Sequence, residues 1–459
     1  MAARIGKLLI ANRGEIAVRI IRAARELGLR TVAACSDADR DSLAARMADE
    51  VVHIGPPQAA KSYLNVPALL EAMRTSGANA VHPGYGFLSE NAAFAEAVEA
   101  AGHIFVGPTP HAIRIMGNKS LARETAARAG VPTVPGSDGV VSSTDEAVSV
   151  AAAIGYPVMI KASAGGGGRG IRVANDEAEL RAQIVVAQAE AQAAFGDKAV
   201  YLERFIRRAR HVEVQILGDG ERVVHCYERE CSLQRRRQKI LEEAPSPALD
   251  TETRERLCAS ATALARQVGY RGAGTLEYLF DDETREFFFI EMNTRIQVEH
   301  PITEMITGID LVREMIRIAD GEPLSLRQED IAIRGHAIEC RINAEDPDRN
   351  FMPSPGTVSE LFWPAGPGVR IDSMLYPGCA VPPFYDSLLA KVVAHAETRT
   401  AAIDRMRRAL GELRVEGVRT TRLLHLSLLD EPRFHRAQFD TNFLEGWLAS
   451  RQPPAATPR

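Results

Sequence analysis

The sequence lacks several features that would each assign a class of protein. Lys and Arg total 55 against 60 Asp and Glu, a formal charge of -5, so the basic excess of a nucleic-acid binder is missing. No apolar run approaches the roughly eighteen residues that a membrane helix needs. The first residues hold only a short apolar stretch without a cleavage pattern. We therefore expect a cytoplasmic protein with no nucleic-acid partner and no membrane span.

Cysteine and lysine are both scarce. The six cysteines show no C-x₂-C spacing, which predicts reduced thiols and no zinc site. Only seven of the 55 basic residues are Lys. Lys supplies a compact charge on a flexible stem, and Lys119, Lys161 and Lys239 all lie in the segments described below.

The 459 residues predict two to four domains, at roughly 100–200 residues per domain. Near the N-terminus, strand patterns such as 7–11 and 31–35 alternate with helical patterns such as 15–27. This alternation predicts a parallel, doubly wound sheet. The turn Asn12–Glu15 has one glycine where a dinucleotide-binding fingerprint needs three, so we expect no NAD site here.

A run of four glycines lies within Ala164–Gly170, between two strand patterns and after Lys161. Because a strand follows the glycines, this is not a Walker A loop, which runs into a helix. The pattern favours a mobile hairpin lid over nucleotide phosphates, with Lys161 supplying charge; a flexible linker is the alternative. Lys119 is a second candidate phosphate ligand or else a solvated surface lysine.

Two strand patterns at 274–280 and 286–292 predict a hairpin. If the loop is Glu283–Arg285, Glu277 lies directly opposite Glu291. Opposed carboxylates repel, so a bridging hard cation is expected between them. Asn293 follows on the same face, and the three side chains predict a Mg²⁺ site completed by nucleotide phosphates.

The segment 292–300 places a polar row on one side if it is extended: Asn293, Arg295, Gln297 and Glu299. Such a row can form the floor of a substrate site or the solvated face of an ordinary strand; the nearby glutamates favour a site.

The segment 231–239 carries Arg235, Arg236, Arg237 and Lys239. It predicts either a solvated basic patch or an anion site.

Six segments together resemble the biotin carboxylase family of the ATP-grasp superfamily, in the family's order: ANRGEIAVRI, HPGYGFLSEN, KASAGGGGRG, RHVEVQ, IEMNTRIQVEHPITEMITG and ECRINAEDP. The resemblance implies a multidomain protein of α/β and α+β class. Its expected parts are an N-terminal pre-ATP-grasp α/β domain (1–120), an ATP-grasp domain (121–323, with a lid at about 133–206), a C-terminal mixed α+β domain (324–449) and a flexible tail (450–459).

The resemblance also implies roles for residues of this sequence. Catalytic roles fall to Lys239, Arg295, Glu299 (the general base) and Arg341, bicarbonate binding to Lys239, Arg295, Gln297 and Val298, and biotin binding to Arg341 and Tyr85. Mg²⁺ or Mn²⁺ would be held by Glu277, Glu291 and Asn293. ATP would contact Lys119, Lys161, Gly167, Gly168, Glu203, Arg204, Phe205, Ile206, His211, Gln234, Glu277 and Glu291.

The implied reaction is ATP-dependent carboxylation of biotin by bicarbonate through carboxyphosphate, in an acetyl-CoA carboxylase system. Because the chain has no AMKM-like biotinylation motif, biotin would arrive on a separate carrier protein. A carboxyltransferase subunit and a second copy of the chain are the other expected partners. Arg237 stands where relatives usually have His or Asn. Alternatives are a propionyl-CoA or pyruvate carboxylase system, another ATP-grasp carboxylate–amine ligase, and a nucleotide-sensing scaffold without chemistry.

Overall fold

The computed structural model describes residues 5–162, 171–195 and 198–451. These residues form two compact units. Unit 1 comprises Met1–Val131, Arg210–Tyr278 and Glu291–Arg459, and unit 2 comprises Pro132–Ala209 and Leu279–Ile290. The predicted glycine lid, with Gly167 and Gly168, and the tail from residue 452 lie outside the described residues. The domain ranges predicted above stay predictions.

Unit 1 begins with a five-stranded parallel sheet in the order β3-β2-β1-β4-β5. Leu8, Leu9 and Ile10 of its central strand are fully buried, as expected where helices cover both faces of a parallel sheet. The predicted doubly wound sheet is therefore confirmed. Its strands are β1 Lys7–Ile10, β2 Arg30–Ser36, β3 Glu50–Gly55, β4 Ala80–His82 and β5 Ile104–Phe105. The helices are α1 Gly14–Glu26, α2 Leu43–Met47, α3 Val66–Ser76, α4 Ala92–Ala100, α5 Pro110–Gly117 and α6 Lys119–Arg128.

Unit 2 contains a three-stranded antiparallel sheet in the order β7-β6-β8. Val158 pairs with Ala174 and Lys161 with Ile171, so the two strands predicted on either side of the glycine run do form a hairpin. The elements of this unit are α7 Thr144–Ile154, β6 Val158–Ala162, β7 Ile171–Ala174, α8 Glu177–Phe195 and β8 Val200–Arg204.

The largest sheet has eight strands in the order β13-β12-β9-β10-β11-β14-β21-β19. Strands from the predicted ATP-grasp and C-terminal domains therefore pair side by side, through β11 and β14. The elements up to residue 319 are β9 Ala209–Asp219, β10 Val223–Arg235, β11 Gln238–Ala244, α9 Thr251–Gln267, β12 Arg271–Asp281, β13 Phe287–Asn293, α10 His300–Thr307 and α11 Leu311–Ala319.

The remaining elements complete this sheet and cover it. The strands are β14 His336–Asn343, β15 Glu345–Asp346, β16 Met352–Pro353, β17 Gly356–Thr357, β18 Glu360–Phe362, β19 Val369–Ser373, β20 Ala380–Val381, β21 Leu388–Ala396 and β22 Arg414–Glu416. The helices are α12 Arg399–Glu412, α13 Arg422–Leu429, α14 Pro432–His435 and α15 Phe443–Arg451. Short 3₁₀ turns occur at Asp37–Asp39, Ala59–Lys61, Gln328–Asp330 and Pro347–Arg349.

Helix α10 fixes the position of the polar segment that precedes it. Its Ile302 and Ile306 are fully buried and pack against Ala244, Ala337 and Val393 of β11, β14 and β21. Burying these side chains anchors the start of the helix on the sheet. No helix in the described part of the chain combines the length and hydropathy that crossing a bilayer requires.

Candidate active site

Lys239 on β11 lies at the centre of a buried cluster of carboxylates in unit 1. Its Nζ donates hydrogen bonds to Glu213 Oε2 at 2.5 Å, Glu299 Oε1 at 2.7 Å and Glu277 Oε1 at 3.0 Å. Burial alone would lower the pKa of Lys239, but Glu213, Glu277 and Glu299 together raise it well above its usual value. The ammonium therefore stays charged and links three acids from three different strands or turns.

Glu299 lies between two cations. While Oε1 accepts from Lys239, Oε2 accepts from Arg341 Nη2 at 2.9 Å. Burial raises the pKa of Glu299, but Lys239, Arg341 and Arg229 outweigh burial and hold it well below the usual range. The result is a fixed, ionised carboxylate that is almost completely buried, a group able to accept a proton in a defined direction.

Arg229 on β10 is fully buried and orients several of these side chains. It donates to Glu213 Oε1 at 2.6 Å and to Gln297 Oε1 at 2.8 Å. Gln297 in turn donates from Nε2 to Glu277 Oε1 at 2.9 Å. The positions of the acids around Lys239 are thus set by a continuous network of charge-assisted hydrogen bonds.

The prediction that the segment 292–300 is an extended strand with a polar row on one side is wrong. β13 ends at Asn293 and α10 begins at His300, with a loop and a turn between them. Within this turn, Ile296 is fully buried in the core around α1. Even so, Asn293, Gln297 and Glu299 all reach the Glu277 or Lys239 side chain, so the loop brings together what strand alternation was expected to align.

Three residues predicted to hold a metal lie near one another in unit 1. Asn293 Nδ2 donates to Glu277 Oε1 at 2.9 Å, and His211 Nε2 lies 2.9 Å from Glu277 Oε2. Although part of the Glu291 side chain is exposed, desolvation by its neighbours raises the pKa of Glu291, and the carboxylate of Glu277 raises it further. The two glutamates are therefore close enough to repel each other, as the hairpin argument predicted.

The turn of that hairpin differs from the prediction. The N–H of Asp281 donates to Glu286 O at 2.8 Å, and the N–H of Arg285 donates to Asp281 O at 2.8 Å. The loop is therefore 282–285 and not Glu283–Arg285. A loop one residue longer shifts the pairs beside the turn by one position, so this turn does not place Glu277 directly opposite Glu291.

The donor set is suited to a hard divalent cation. Glu277 and Glu291 offer carboxylate oxygens, the preferred ligands of Mg²⁺ and Mn²⁺, and a cation between them would relieve their repulsion. Asn293 fits less directly, because its Oδ1 accepts a hydrogen bond from Arg295 Nη2 at 2.9 Å. The two glutamates are thus the main candidates for metal binding.

Unit 2 carries the other residues implied for ATP. Lys161 on β6 forms an ion pair with Glu203 on β8, and Arg204 Nη1 donates to Glu286 Oε2 at 3.2 Å. The N–H of Phe205 donates to Pro157 O at 2.9 Å, and Ile206 belongs to a small apolar cluster with Phe288. Lys161 thus has a carboxylate partner within its own sheet.

The remaining predicted residues of unit 1 have these partners. Lys119 is exposed at the start of α6, and Gln234 Nε2 lies 3.0 Å from His211 Nδ1. Arg295 donates to Glu90 Oε2 at 2.9 Å, Val298 O accepts from Lys391 Nζ at 2.8 Å, and the Tyr85 hydroxyl donates to Glu15. Burial and Glu15 raise the pKa of Tyr85 well above its usual value, and the nearby charge of Arg341 opposes them. The two residues implied for biotin are therefore near each other.

The basic segment 231–239 forms the end of β10, a two-residue turn and the start of β11. Arg235 pairs with Gln238, and the turn residues Arg236 and Arg237 have φ of 48° and 66°. This left-handed region costs a non-glycine residue about 1–2 kcal/mol. Both turn side chains are exposed, while Lys239, two residues on, points into the acid cluster.

Several residues of the site were not predicted. Glu213 lies in RHVEVQ, Glu90 in HPGYGFLSEN and Glu242 in the strand QKILEEA, while Arg229 lies in none of the quoted motifs. For Glu213, Arg229 and Glu242 the available signal was a charged residue inside a strand pattern, since buried charges are almost always paired.

Comparisons with known proteins agree with this geometry. The biotin carboxylase N-terminal domain family matches residues 4–113, the carbamoyl-phosphate synthase L chain ATP-binding domain family matches 118–327, and the biotin carboxylase C-terminal domain family matches 339–446. Biotin carboxylase 1 of Bacillus subtilis is 56% identical over 442 residues, covering 96% of this chain and 98% of the relative.

Solved structures give the same result. The biotin carboxylase subunit of a pyruvate carboxylase matches with a TM-score of 0.90 and 47% identity, covering 98% of this chain and 99% of that one. The biotin carboxylase domain dimer of 2-oxoglutarate carboxylase from Hydrogenobacter thermophilus, in complex with MgADP, ADP and bicarbonate, matches with a TM-score of 0.86 and 46% identity, covering 97% and 98%. The chain belongs to the biotin carboxylase family and is a carboxylating, ATP-dependent ligase of ATP-grasp fold.

Proposed function

We propose that the chain carries out the first half-reaction of a biotin-dependent carboxylase, with Glu299 as the base and the other site residues in the roles that the family resemblance implies. The observation that carries this proposal is the position of Glu299, with one oxygen on Lys239 and the other on Arg341. An ionised carboxylate beside a cation suits an anionic substrate that must lose a proton.

In the proposed first step, bicarbonate binds at Lys239, Arg295, Gln297 and the Val298 main chain. An anion beside Lys239 draws the ammonium away from Glu299 and so raises the pKa of Glu299, which strengthens it as a base. Glu299 takes the bicarbonate proton, and a bicarbonate oxygen attacks the γ-phosphorus of ATP. The bond to ADP breaks and carboxyphosphate forms.

In the second step, carboxyphosphate releases CO₂ and phosphate. The phosphate takes the proton from the ureido nitrogen of biotin, and that nitrogen forms a bond to the carbon of CO₂. Arg341 stabilises the negative charge on the ureido oxygen, and Tyr85 lies beside Arg341. Positioning and charge neutralisation account for the catalysis.

The nucleotide contacts are proposed for Lys119, His211 and Gln234 in unit 1 and for Lys161, Gly167, Gly168 and 203–206 in unit 2. Glu277 and Glu291, with Asn293, would hold Mg²⁺ or Mn²⁺, which neutralises phosphate charge when bound. A relative's structure in complex with MgADP and bicarbonate supports the binding of a magnesium–nucleotide complex and of bicarbonate.

At a finer level, we propose an acetyl-CoA carboxylase system that serves fatty acid synthesis. Its partners would be a biotin carrier protein, a carboxyltransferase subunit and a second copy of the chain, and a dimeric relative supports the last. The six cysteines are all free and buried, which supports a reducing compartment such as the cytoplasm.

Phosphate release from Mg·ATP, measured with and without bicarbonate and free biotin, tests the proposal. We expect cleavage that requires bicarbonate and that biotin stimulates. Cleavage stimulated by an amine and independent of bicarbonate would indicate a carboxylate–amine ligase. An inactive protein that still binds ATP would indicate a scaffold. Identification of the proteins that co-purify with the chain separates the acetyl-CoA, propionyl-CoA and pyruvate systems.

A further inference from the structure

Two buried glutamates lie side by side next to the proposed site. Glu242 on β11 pairs directly with Glu339 on β14 across the antiparallel ladder, and neither side chain is exposed to solvent. Like charges in directly opposed positions destabilise a sheet. A pair of this kind needs a cation, a proton or both, and none of the roles assigned above uses either residue.

Glu242 is joined to Arg341, the residue proposed to stabilise the biotin oxygen. Arg341 Nε donates to Glu242 Oε1 at 2.6 Å, and Nη2 lies 2.5 Å from the same oxygen. The same Nη2 donates to Glu299 Oε2 at 2.9 Å. Because guanidinium is planar and rigid, contacts with two carboxylates fix both its position and its rotation.

Glu339 has a different environment. Neither of its carboxylate oxygens has a hydrogen-bond partner among the described residues, and the same is true of Glu242 Oε2. An unpartnered ionised carboxylate is far more costly to bury than a neutral acid. Burial and the charge of Glu242 raise the pKa of Glu339 well above its usual value. Burial also raises the pKa of Glu242, but there the Arg341 guanidinium, which is hydrogen-bonded to it, opposes the effect, so Glu339 is the member of the pair that keeps its proton.

The charged groups that face this pair come from every neighbouring element. Lys391 on β21 pairs with Arg341, and its Nζ is directed to Val298 O at 2.8 Å and Glu15 Oε1 at 3.1 Å. Burial of Glu339 outweighs the charge of Lys391, which on its own would lower the pKa of Glu339. Glu299 approaches from the turn before α10, and its charge opposes ionisation of both acids. His300, the first residue of α10, is held neutral by burial and by nearby cations, because its pKa is lowered well below the usual value.

We propose that Glu242 is a positioning residue for Arg341 and that Glu339 beside it is a neutral acid at working pH, so that Arg341 has two ionised partners and not three. This inference rests on the proposed role of Arg341 toward biotin. Glu242 touches neither substrate, and it acts by holding the guanidinium where the ureido oxygen develops charge.

The test compares two rates in the same full-length protein: bicarbonate-dependent ATP cleavage without biotin, and the same reaction with free biotin. In Glu242→Asp the carboxylate withdraws and Arg341 shifts, so the biotin-stimulated rate should fall about 10-fold or more, since small misplacements at a reacting centre are costly. The rate without biotin should fall by a smaller factor, because Glu299 keeps its ion pair with Lys239 when Arg341 shifts. A purely structural role would lower both rates by the same factor.

Glu242→Gln keeps an oxygen acceptor for Arg341 but removes the charge, so the ratio of the two rates should fall by a smaller factor, about threefold. This variant provides the answer if Glu242→Asp does not fold. Glu339→Gln is the matched control: it makes the same change on the neighbouring strand, where Arg341 has no hydrogen bond, and the ratio should stay within about twofold of wild type.

Thermal melting of Glu339→Gln tests whether Glu339 is protonated in the folded protein. A carboxyl group whose pKa is raised in the folded protein costs stability as pH rises, and glutamine does not. The melting temperature of Glu339→Gln relative to wild type should therefore increase between about pH 5 and pH 9; a difference independent of pH would overturn the assignment of Glu339 as a neutral acid.

Ratios of the two rates equal to the wild-type ratio in both Glu242 variants would overturn the positioning role of Glu242. If wild type itself cleaved no ATP in response to bicarbonate, the proposed function would be at fault.

Discussion

Lys239 Nζ and Glu299 Oε1 form a 2.7 Å ion pair, and both side chains are almost entirely shielded from solvent. The ammonium fixes the carboxylate that we assign as the base. Glu299→Gln preserves the shape of the side chain but cannot accept the bicarbonate proton. We expect bicarbonate-dependent ATP cleavage to fall by about 10²–10⁴-fold, with nucleotide affinity retained.

Phosphate-release kinetics and nucleotide titration measure the two effects. Glu322→Gln, the same change at an exposed glutamate, should behave like wild type. Near-normal turnover in Glu299→Gln would show that another group takes the proton.

The second prediction concerns the charge balance around Lys239. Lys239→Met keeps the length of the side chain but leaves Glu213, Glu277 and Glu299 without their shared cation. Breaking a buried ion pair by removing one partner costs about 3–5 kcal/mol. Urea unfolding should record a loss of that order, whereas Lys61→Met at an exposed site should change stability by less than about 0.5 kcal/mol. A loss in Lys239→Met as small as in this control would contradict the account.

The third prediction separates repulsion from metal binding. Because the pKa of Glu291 is raised by desolvation and by Glu277, its ionisation costs stability once pH rises through that raised value. Glu291→Gln should therefore keep or raise the melting temperature of the nucleotide-free protein at neutral pH. It should also lose most of the increase that Mg·ATP produces by binding the folded state.

Differential scanning fluorimetry with and without Mg·ATP measures both effects. Glu283→Gln, at the exposed turn of the same hairpin, serves as the control and should keep the full increase. A strongly destabilised Glu291→Gln with an intact Mg·ATP response would assign the carboxylate a structural role.

The fourth prediction is a pH dependence away from the site. Glu243 accepts from Arg399 Nε at 2.6 Å and lies 2.7 Å from His336 Nε2. Burial raises the pKa of Glu243, but these two partners lower it to about 2. A depressed carboxyl pKa contributes stability above the unfolded value of about 4.5, and this contribution is lost as pH falls toward 2; it amounts to about 3 kcal/mol. Glu243→Gln should flatten the acid limb of the stability curve between about pH 4.5 and 2, and an unchanged acid limb would contradict this.

The N-terminal fold followed from the sequence because its signals are local. The apolar strands around Leu8 to Ile10 and the amphipathic α1 are short, repeated patterns, and they correctly predicted the parallel sheet. The turn after Asp281 was placed one residue off, since both loop lengths suit its Asp-Asp-Glu-Thr-Arg sequence equally well. The segment after Asn293 was predicted as a strand because alternation alone does not reveal that Ile296 is held in a distant core.

The acid cluster itself could be predicted only in part. Glu277 and Glu291 were brought together by hairpin reasoning, which needs only neighbouring residues. The convergence of Glu213, Glu277 and Glu299 on Lys239 depends on the pairing order of β9, β10, β11 and β12, and no local pattern encodes that order. For the same reason Glu242 and Glu339, which meet only because β11 pairs with β14, were not identified.

The central claim is that ATP cleavage is coupled to carboxylation of biotin. The most direct measurement is the ATP-dependent transfer of label from radioactive bicarbonate to free biotin by the purified chain. The account predicts labelled carboxybiotin that requires Mg·ATP and is lost in Glu299→Gln. Cleavage of ATP with no label in biotin, at biotin concentrations that stimulate cleavage, would contradict it.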